Sequence, residues 1–253
     1  MPVEPVAVVT GGSSGIGRAI AHALRDDGWR CVLLARREDP LRETAAQLDA
    51  EYEVCDVADR AAVARAAQSI RDRHPKIGLL VNNAGIPARG TFLSAGPERI
   101  EQVVRVNYLG CVWCLPAFLP LLEAAAPAHV VNIVSVAGTV AWPDSGPYSA
   151  AKHAQLAFSR AVGGELAPRG IRVHTINPGF VETDGFPQRS RFANPIAQRA
   201  IAEPELVARR VLQAIRRNRR ETFVPAWYRP ASVVQAVAPS LFGRALAARR
   251  ARR

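Results

Sequence analysis

Pro5-Val6-Ala7-Val8-Val9-Thr10-Gly11-Gly12-Ser13-Ser14-Gly15-Ile16-Gly17 joins a short apolar, β-branched run at residues 5–10 to a glycine-rich turn, and an alanine-rich helical pattern continues to Asp27. Strand, glycine turn and helix in that order have a physical use. Glycines let the backbone approach a pyrophosphate closely, while the new helix points its unpaired N–H groups and positive dipole end at the anion. A glycine cluster alone is weak information; the flanking strand and helix supply the context that such a motif needs.

The same alternation recurs along the chain. Apolar strand-like runs at 5–10, 30–35, 77–81, 129–134 and 171–176 alternate with helical stretches at 15–27, 39–50, 59–74, 97–125 and 148–167. This order predicts an α/β fold, a doubly wound parallel sheet with helices on both faces. With 253 residues, 49% of them hydrophobic, the chain can bury a sizeable core without disulfides. No internal repeat and no low-complexity linker precedes the C-terminal region, so a single domain is expected over residues 1–229, with a basic extension over 230–253.

Tyr148 and Lys152 stand four residues apart, and Lys152 is one of only two lysines in a chain that otherwise uses arginine for positive charge. On a helix such a pair shares one face, so the ammonium can sit beside the phenol and favour its ionised form. Tyrosine titrates near ~10, and bringing it to about neutrality needs roughly 4 kcal/mol, the size of one opposite charge at ~4 Å in an effective dielectric of about 20. Lysine offers a compact ammonium whose three donors can also reach other hydroxyls, which a planar guanidinium does less well.

At this point the chain resembles the short-chain dehydrogenase/reductase family of conventional single-domain length, whose fold is Rossmann-type. Thr10, Gly11, Gly15 and Gly17 fit its cofactor loop, Asp56-Val57 the acidic pair that caps the adenine, and Asn82-Asn83-Ala84-Gly85 the motif after the fourth strand. Asn107, Ser135, Tyr148 and Lys152 fit the catalytic four, and Pro178-Gly179 with Thr183 the nicotinamide-side loop. The resemblance runs in order from residue 5 to about residue 184. It implies an NAD(P)-dependent oxidoreductase whose cofactor contacts are Gly11, Ser13, Ser14, Gly15, Ile16, Gly17, Arg36, Asp56, Val57, Asn83, Ala84, Gly85, Tyr148, Lys152, Pro178, Gly179, Val181 and Thr183.

Roles follow from the chemistry. Carbonyl reduction needs a hydride donor on one face and a proton donor at the oxygen; alcohol oxidation needs the same parts reversed. Tyr148 is the acid or base. Ser135 follows the apolar strand Val130–Val134, so its hydroxyl can emerge at a strand's C-terminal end, where open α/β sheets bind ligands. It would hydrogen-bond the substrate oxygen. Lys152 would lower the tyrosine pKa and hold the nicotinamide ribose. Asn107, as the resemblance implies, would hold a water in a proton relay. No metal is required.

Cofactor choice rests on the end of the second strand, where Arg36 stands and no acid appears until Glu38. A carboxylate there suits NAD and an arginine the extra phosphate of NADP, so NADP is favoured, with NAD still open because Ser14 is not a second basic residue.

Charge is concentrated at one end. From Pro204 to Arg253 twelve arginines face only Glu205 and Glu221, which gives this segment +10 of the chain's +11. A basic end can be a solvated tail or can meet anionic partners. Because residues 231–248 are apolar and partly helical in pattern, contact with an anionic membrane surface or with a neighbouring active site is an open expectation. No aromatic stacking platform accompanies the arginines, which disfavours nucleic acid.

The related 3-oxoacyl-carrier-protein reductases finish with a glycine-rich strand soon after the position of Val224, whereas this chain runs on. That departure favours a medium-sized, largely apolar ketone or secondary alcohol over a 3-oxoacyl thioester, which is the alternative. A non-catalytic dinucleotide-sensing or membrane-associated protein is a third reading, disfavoured because all four catalytic positions are filled. The resemblance implies a substrate loop after the Pro-Gly motif, at about 184–204, with Phe186, Pro187, Phe192, Pro195 and Ile196, and Trp142 can add to an apolar pocket.

The remaining expectations are negative or concern context. Cys111-Val112-Trp113-Cys114 has no second cysteine pair, and the five histidines show no metal-ligand spacing. The apolar stretch 111–122 is too short to span a bilayer and holds Pro116 and Pro120, so it reads as a helix in the core or a subunit contact. With no signal peptide before the first strand, a cytoplasmic location is expected. A two-fold homodimer through the helices at 97–125 and 148–167 is the expected assembly.

Overall fold

The computed structural model describes residues 4–88, 90–189, 198 and 201–251. Seven strands form one parallel sheet: β1 Val6–Thr10, β2 Arg30–Ala35, β3 Glu51–Val54, β4 Leu79–Asn82, β5 Ala128–Ile133, β6 Ile171–Pro178 and β7 Glu221–Val224, in the order β3-β2-β1-β4-β5-β6-β7. The order reverses between β1 and β4, which pair from Ala7↔Leu79 to Val9↔Val81. At such a switch point the outgoing chains leave in opposite directions and open a crevice above the strand ends.

Both faces of the sheet are covered, which is why β1, β2 and β4 read as unbroken apolar runs rather than alternating ones. On one face Ala7, Val9 and Leu33 meet helices α1 Gly15–Asp26 and α2 Glu38–Leu48. Gly17, Ile20, Ala21 and Leu24 are the buried residues of α1, the spacing of one helical face. On the other face Val6, Val8 and Val130 meet α3 Arg60–Arg73, α5 Gly110–Ala124 and α6 Gly146–Leu166. Between α3 and α5 lie α4 Pro97–Val104 and a π-helical turn, Arg105–Leu109. The whole helical segment Pro97–Ala124 is long and apolar enough to cross a membrane, but Cys114, Phe118 and Leu122 are fully buried in the core beneath the sheet, as a packing helix requires.

Two strands were absent from the sequence pattern. β3 is the sheet's edge, and its Glu51-Tyr52-Glu53-Val54 is half-exposed, so it shows no apolar run. β7 pairs with β6 through Thr175↔Glu221 to Pro178↔Val224 and follows helix α7 Pro204–Arg216, which packs on α1 through Val207, Ala208 and Val211. The chain then turns through Ala226–Tyr228 into α8 Arg229–Val237 and α9 Pro239–Ala251. This C-terminal segment folds back on the body: Ser232 shares a 2.6 Å hydrogen bond with Thr139, and Phe242 packs among Val136, Val140 and Tyr228.

A histidine pair lies between β5 and β6. His174 Nδ1 is 2.8 Å from the Arg219 carbonyl, to which it donates; its Nε2, 3.0 Å from His129 Nδ1, then accepts, and the rings stack. Burial pulls His129 down from the ordinary 6.5 to about 4 and lowers His174 as well. Between those values the unfolded chain binds protons that the folded one refuses, so stability is full above pH 6.5 and falls as pH drops towards 4. The melting temperature is therefore expected to fall across that window less steeply in His129→Gln than in wild type; parallel curves from the two proteins would show that the pair does not couple folding to pH.

Candidate active site

The crevice is floored by the turns that follow β1 and β4. Thr10 Oγ1 accepts from the N–H groups of Asn83, at 3.0 Å, and Ala84, at 3.1 Å, and donates to the Val81 carbonyl. The Asn83 amide in turn donates to the carbonyls of Thr10 and Gly11. Gly17 packs so closely beneath this loop that a Cβ there would lie 2.1 Å from the Gly11 oxygen. Helix α1 thus begins directly under the turn. Its first turn carries no acidic residue, and its N-cap, Ser14, makes no side-chain capping bond, so the N-terminal N–H groups stay available to an anion.

Beside that terminus lies a cavity of about 260 Å³ whose lining includes Ser13, Ser14, Arg18, Arg37 and Thr44 as well as the carboxylates Glu43 and Asp184. Hydroxyls, guanidinium groups and a free helix N-terminus fit the phosphates of a dinucleotide. Arg36 is exposed at the end of β2, and the sequence pattern did not single out Arg37 and Arg18, which reach this cavity. Their only sequence signal was an arginine next to Arg36 and another one turn into α1. Thr183 packs against Gly15 across the crevice, while Val181 is buried and pairs with Ala202. Asp56 Oδ1 accepts from the N–H of Ala58, and Val57 is turned into the core against Gly110.

The four expected catalytic side chains converge. Ser135, just past β5, donates from its Oγ to the Pro178 carbonyl at 3.3 Å, accepts from the Ala137 N–H and lies close enough to the Tyr148 phenol to act on its ionisation. Asn107 sits in the π-helical turn, a distortion common at functional positions; its Oδ1 accepts from the N–H of Ile86 at 2.7 Å and its amide donates to the Ile86 carbonyl. Gly85 separates it from Lys152. Burial pushes the Tyr148 phenol up to about 12, with the nearby Ser135 hydroxyl pulling the other way.

Lys152 differs from the simplest expectation of an ammonium against the phenol. It lies 5.8 Å from the Tyr148 ring centroid and donates instead to the Ile133 carbonyl, 2.9 Å, and to Gln155 Oε1, 2.7 Å. Burial pulls it down to about 8. A desolvated cation takes whatever oxygens lie nearest, and a strand-end carbonyl and an amide are closer than the phenol.

Above these groups Phe186 lies 5.9 Å, ring to ring, from Tyr148. Pro187 lines a neighbouring cavity of about 810 Å³ between α1 and α7. Phe192, Pro195 and Ile196 fall outside the described residues. Trp142 joins Phe180 and Phe242 around Val136, Val140 and Tyr228. Gly179 is essential to this wall: the Tyr228 ring packs flat on it, 1.9 Å from where a Cβ would stand, and the Tyr228 hydroxyl accepts from the Phe180 N–H at 3.4 Å. Among the described residues no group of three His, Cys, Asp or Glu side chains could hold a metal ion.

A family model described as short chain dehydrogenase matches residues 5–193. The chain belongs to the short-chain dehydrogenase/reductase family. It is 33% identical over 254 residues to a dehydrogenase/reductase SDR family protein 7-like from Anopheles gambiae, covering 94% of this chain and 80% of that one. The short-chain dehydrogenase/reductase from Burkholderia phymatum, solved with NAD, superposes with a TM-score of 0.83 at 26% identity over 94% of this chain and 95% of the other. A variant of actinorhodin polyketide ketoreductase, solved with NADPH, gives 0.79 at 30% identity over 87% and 95%. As a short-chain dehydrogenase/reductase, this protein is an NAD(P)-dependent enzyme.

Proposed function

We propose that this enzyme interconverts a largely apolar ketone and secondary alcohol, with NADP(H) preferred and Tyr148 as acid or base. The observation that carries this reading is the convergence of the Tyr148 and Ser135 hydroxyls with a buried Lys152, with the apolar cluster of Val136, Val140, Trp142 and Phe180 starting at the residue after Ser135. Bound nicotinamide supplies or takes up the hydride. Ser135 hydrogen-bonds the substrate oxygen and Tyr148 gives it a proton during reduction, taking it back during oxidation. A phenol raised to about 12 is held protonated, ready to donate, and the phenolate left behind is stabilised by the Lys152 charge. Lys152 would also hold the nicotinamide ribose, and Asn107 would hold a water in a proton relay to solvent. The crevice residues between Gly11 and Gly17, Asn83–Gly85 and Pro178–Thr183 would hold the cofactor.

The NADP preference rests on Arg36 and Arg37 at the end of β2, where no carboxylate stands to receive ribose hydroxyls, and on the cavity that Arg37 and Arg18 line. A second reading, reduction of a 3-oxoacyl thioester, is favoured by the likeness to the actinorhodin ketoreductase. Against it, β7 leads into helices α8 and α9 rather than a further strand.

For assembly, we propose a two-fold homodimer through the α4–α5 segment and α6. Exposed Trp227, Val233, Val234, Val237 and Leu241, set among the arginines of the C-terminal segment, support peripheral contact with an anionic membrane surface, measurable as co-sedimentation with anionic vesicles.

Tyr148→Phe should lower kcat by about 10²- to 10⁴-fold while cofactor affinity is retained, because only the transferable proton is removed. Keeping more than about a tenth of the wild-type rate would take the proton-transfer role away from Tyr148. Arg36→Asp should shift the ratio of kcat/KM for NADP over NAD towards NAD, since a carboxylate repels the extra phosphate and can accept from free ribose hydroxyls; an unchanged ratio would place the phosphate elsewhere. Light scattering of the full-length protein should give a dimer, and a monomer or tetramer would refute the assembly.

A further inference from the structure

Gln155 follows Lys152 by three residues on α6 and is 1% exposed. A buried amide at a core position costs stability unless it is fully hydrogen-bonded, and an apolar residue could fill the same space. Here Oε1 accepts from Lys152 Nζ at 2.7 Å, and the side chain lies beside the Cys111 thiol of α5. The other acceptor of Nζ is the Ile133 carbonyl, fixed at the end of β5. The ammonium therefore hangs between two rigid neutral oxygens, with no ion pair among the described residues.

We propose that Gln155 is a positioning residue that holds the Lys152 ammonium in place beneath Tyr148 and thereby sets the proton affinity of the phenol. The neutrality of the acceptor is the reason for glutamine. An amide oxygen stabilises the ammonium by a hydrogen bond and leaves its charge free to act on Tyr148, whereas a carboxylate would cancel that charge. Among the described residues, the groups facing Lys152 and Tyr148 from the surrounding elements include Cys111, Asn107, Ser135 and Phe186. Only the thiol among these titrates, and burial pushes it up to about 12, so it stays neutral. The inference rests on the reading of Tyr148 as proton donor, and its test needs no substrate.

The ionisation of Tyr148 can be followed in the full-length protein saturated with NADP⁺, as the phenolate absorbance of wild type minus that of Tyr148→Phe. Gln155→Met keeps the length and apolar packing of the side chain but removes the acceptor. Its Tyr148 titration is expected to move up by about one unit or more, and kcat at neutral pH to fall by about tenfold. In a Tyr148→Phe background the same change should have no further effect on the residual rate, because it acts through the phenol. Gln155→Glu keeps the shape and the acceptor but adds a negative charge, and it too should raise the titration; it decides the matter if Gln155→Met does not fold. A Tyr148 titration left unmoved in a folded variant, even one with a lowered melting temperature, would overturn the proposal and leave Gln155 a packing residue. A shifted titration in a protein that turns over no ketone would instead sink the substrate reading and keep this one.

Discussion

The staple between the first and fourth strands governs the rest of the molecule. Thr10 receives two N–H groups from Asn83 and Ala84, and Asn83 returns its amide to the carbonyls of Thr10 and Gly11. These bonds hold together two turns that the reversal of strand order would otherwise let diverge. Each satisfies backbone groups that have left the sheet ladder and lie partly buried, where unpaired they would cost about 1–3 kcal/mol. With the turns fixed, α1 starts beneath the crevice with its N–H groups aimed into it, and the strand ends that carry Ser135 and Pro178 stand at a defined distance.

A second constraint lies behind the catalytic side chains. Asn82 donates to Asn132, Asn132 to Ser159, and Ser159 shares a hydrogen bond with Thr175, so a buried polar line crosses β4, β5, α6 and β6. Low local dielectric makes such lines costly if broken and rigid if complete. This one pins α6 to the sheet through Ser159, two turns beyond Lys152, while Gln155 holds the Lys152 ammonium from within α6. Tyr148 and Lys152 on α6 and Ser135 just past β5 are thereby held by elements whose relative positions cannot slide independently.

The C-terminal segment is part of the site's wall rather than only an appendage. Tyr228 occupies the space a side chain at position 179 would need, and Phe242 and Ser232 return to the loop after Ser135. The nicotinamide-side loop that starts at Gly179 is therefore braced from behind by residues close to the end of the chain. The segment's exposed apolar positions, Trp227, Val233, Val234, Val237 and Leu241, are interleaved with these contacts.

Sequence alone determined what depends on local periodicity. The glycine turn between an apolar run and a helix, the alternation of strands and helices, and the one-turn spacing of Tyr148 and Lys152 are fixed by neighbours within a few residues, so they were legible without coordinates. The edge strand β3 was not, because half-exposed Glu51 and Glu53 erase the apolar signal, and the partners of Lys152 were not, because nothing in the spacing says that a carbonyl of β5 and the amide of Gln155 lie nearer than the phenol. Arg37 and Arg18 reach one cavity only once α1 and β2 are packed side by side, and Tyr228 finds Gly179 only once β7 has paired with β6. Those meetings join residues far apart in the chain. They are decided by which faces bury together and by how closely two backbones can approach, and those quantities exist only in the folded molecule.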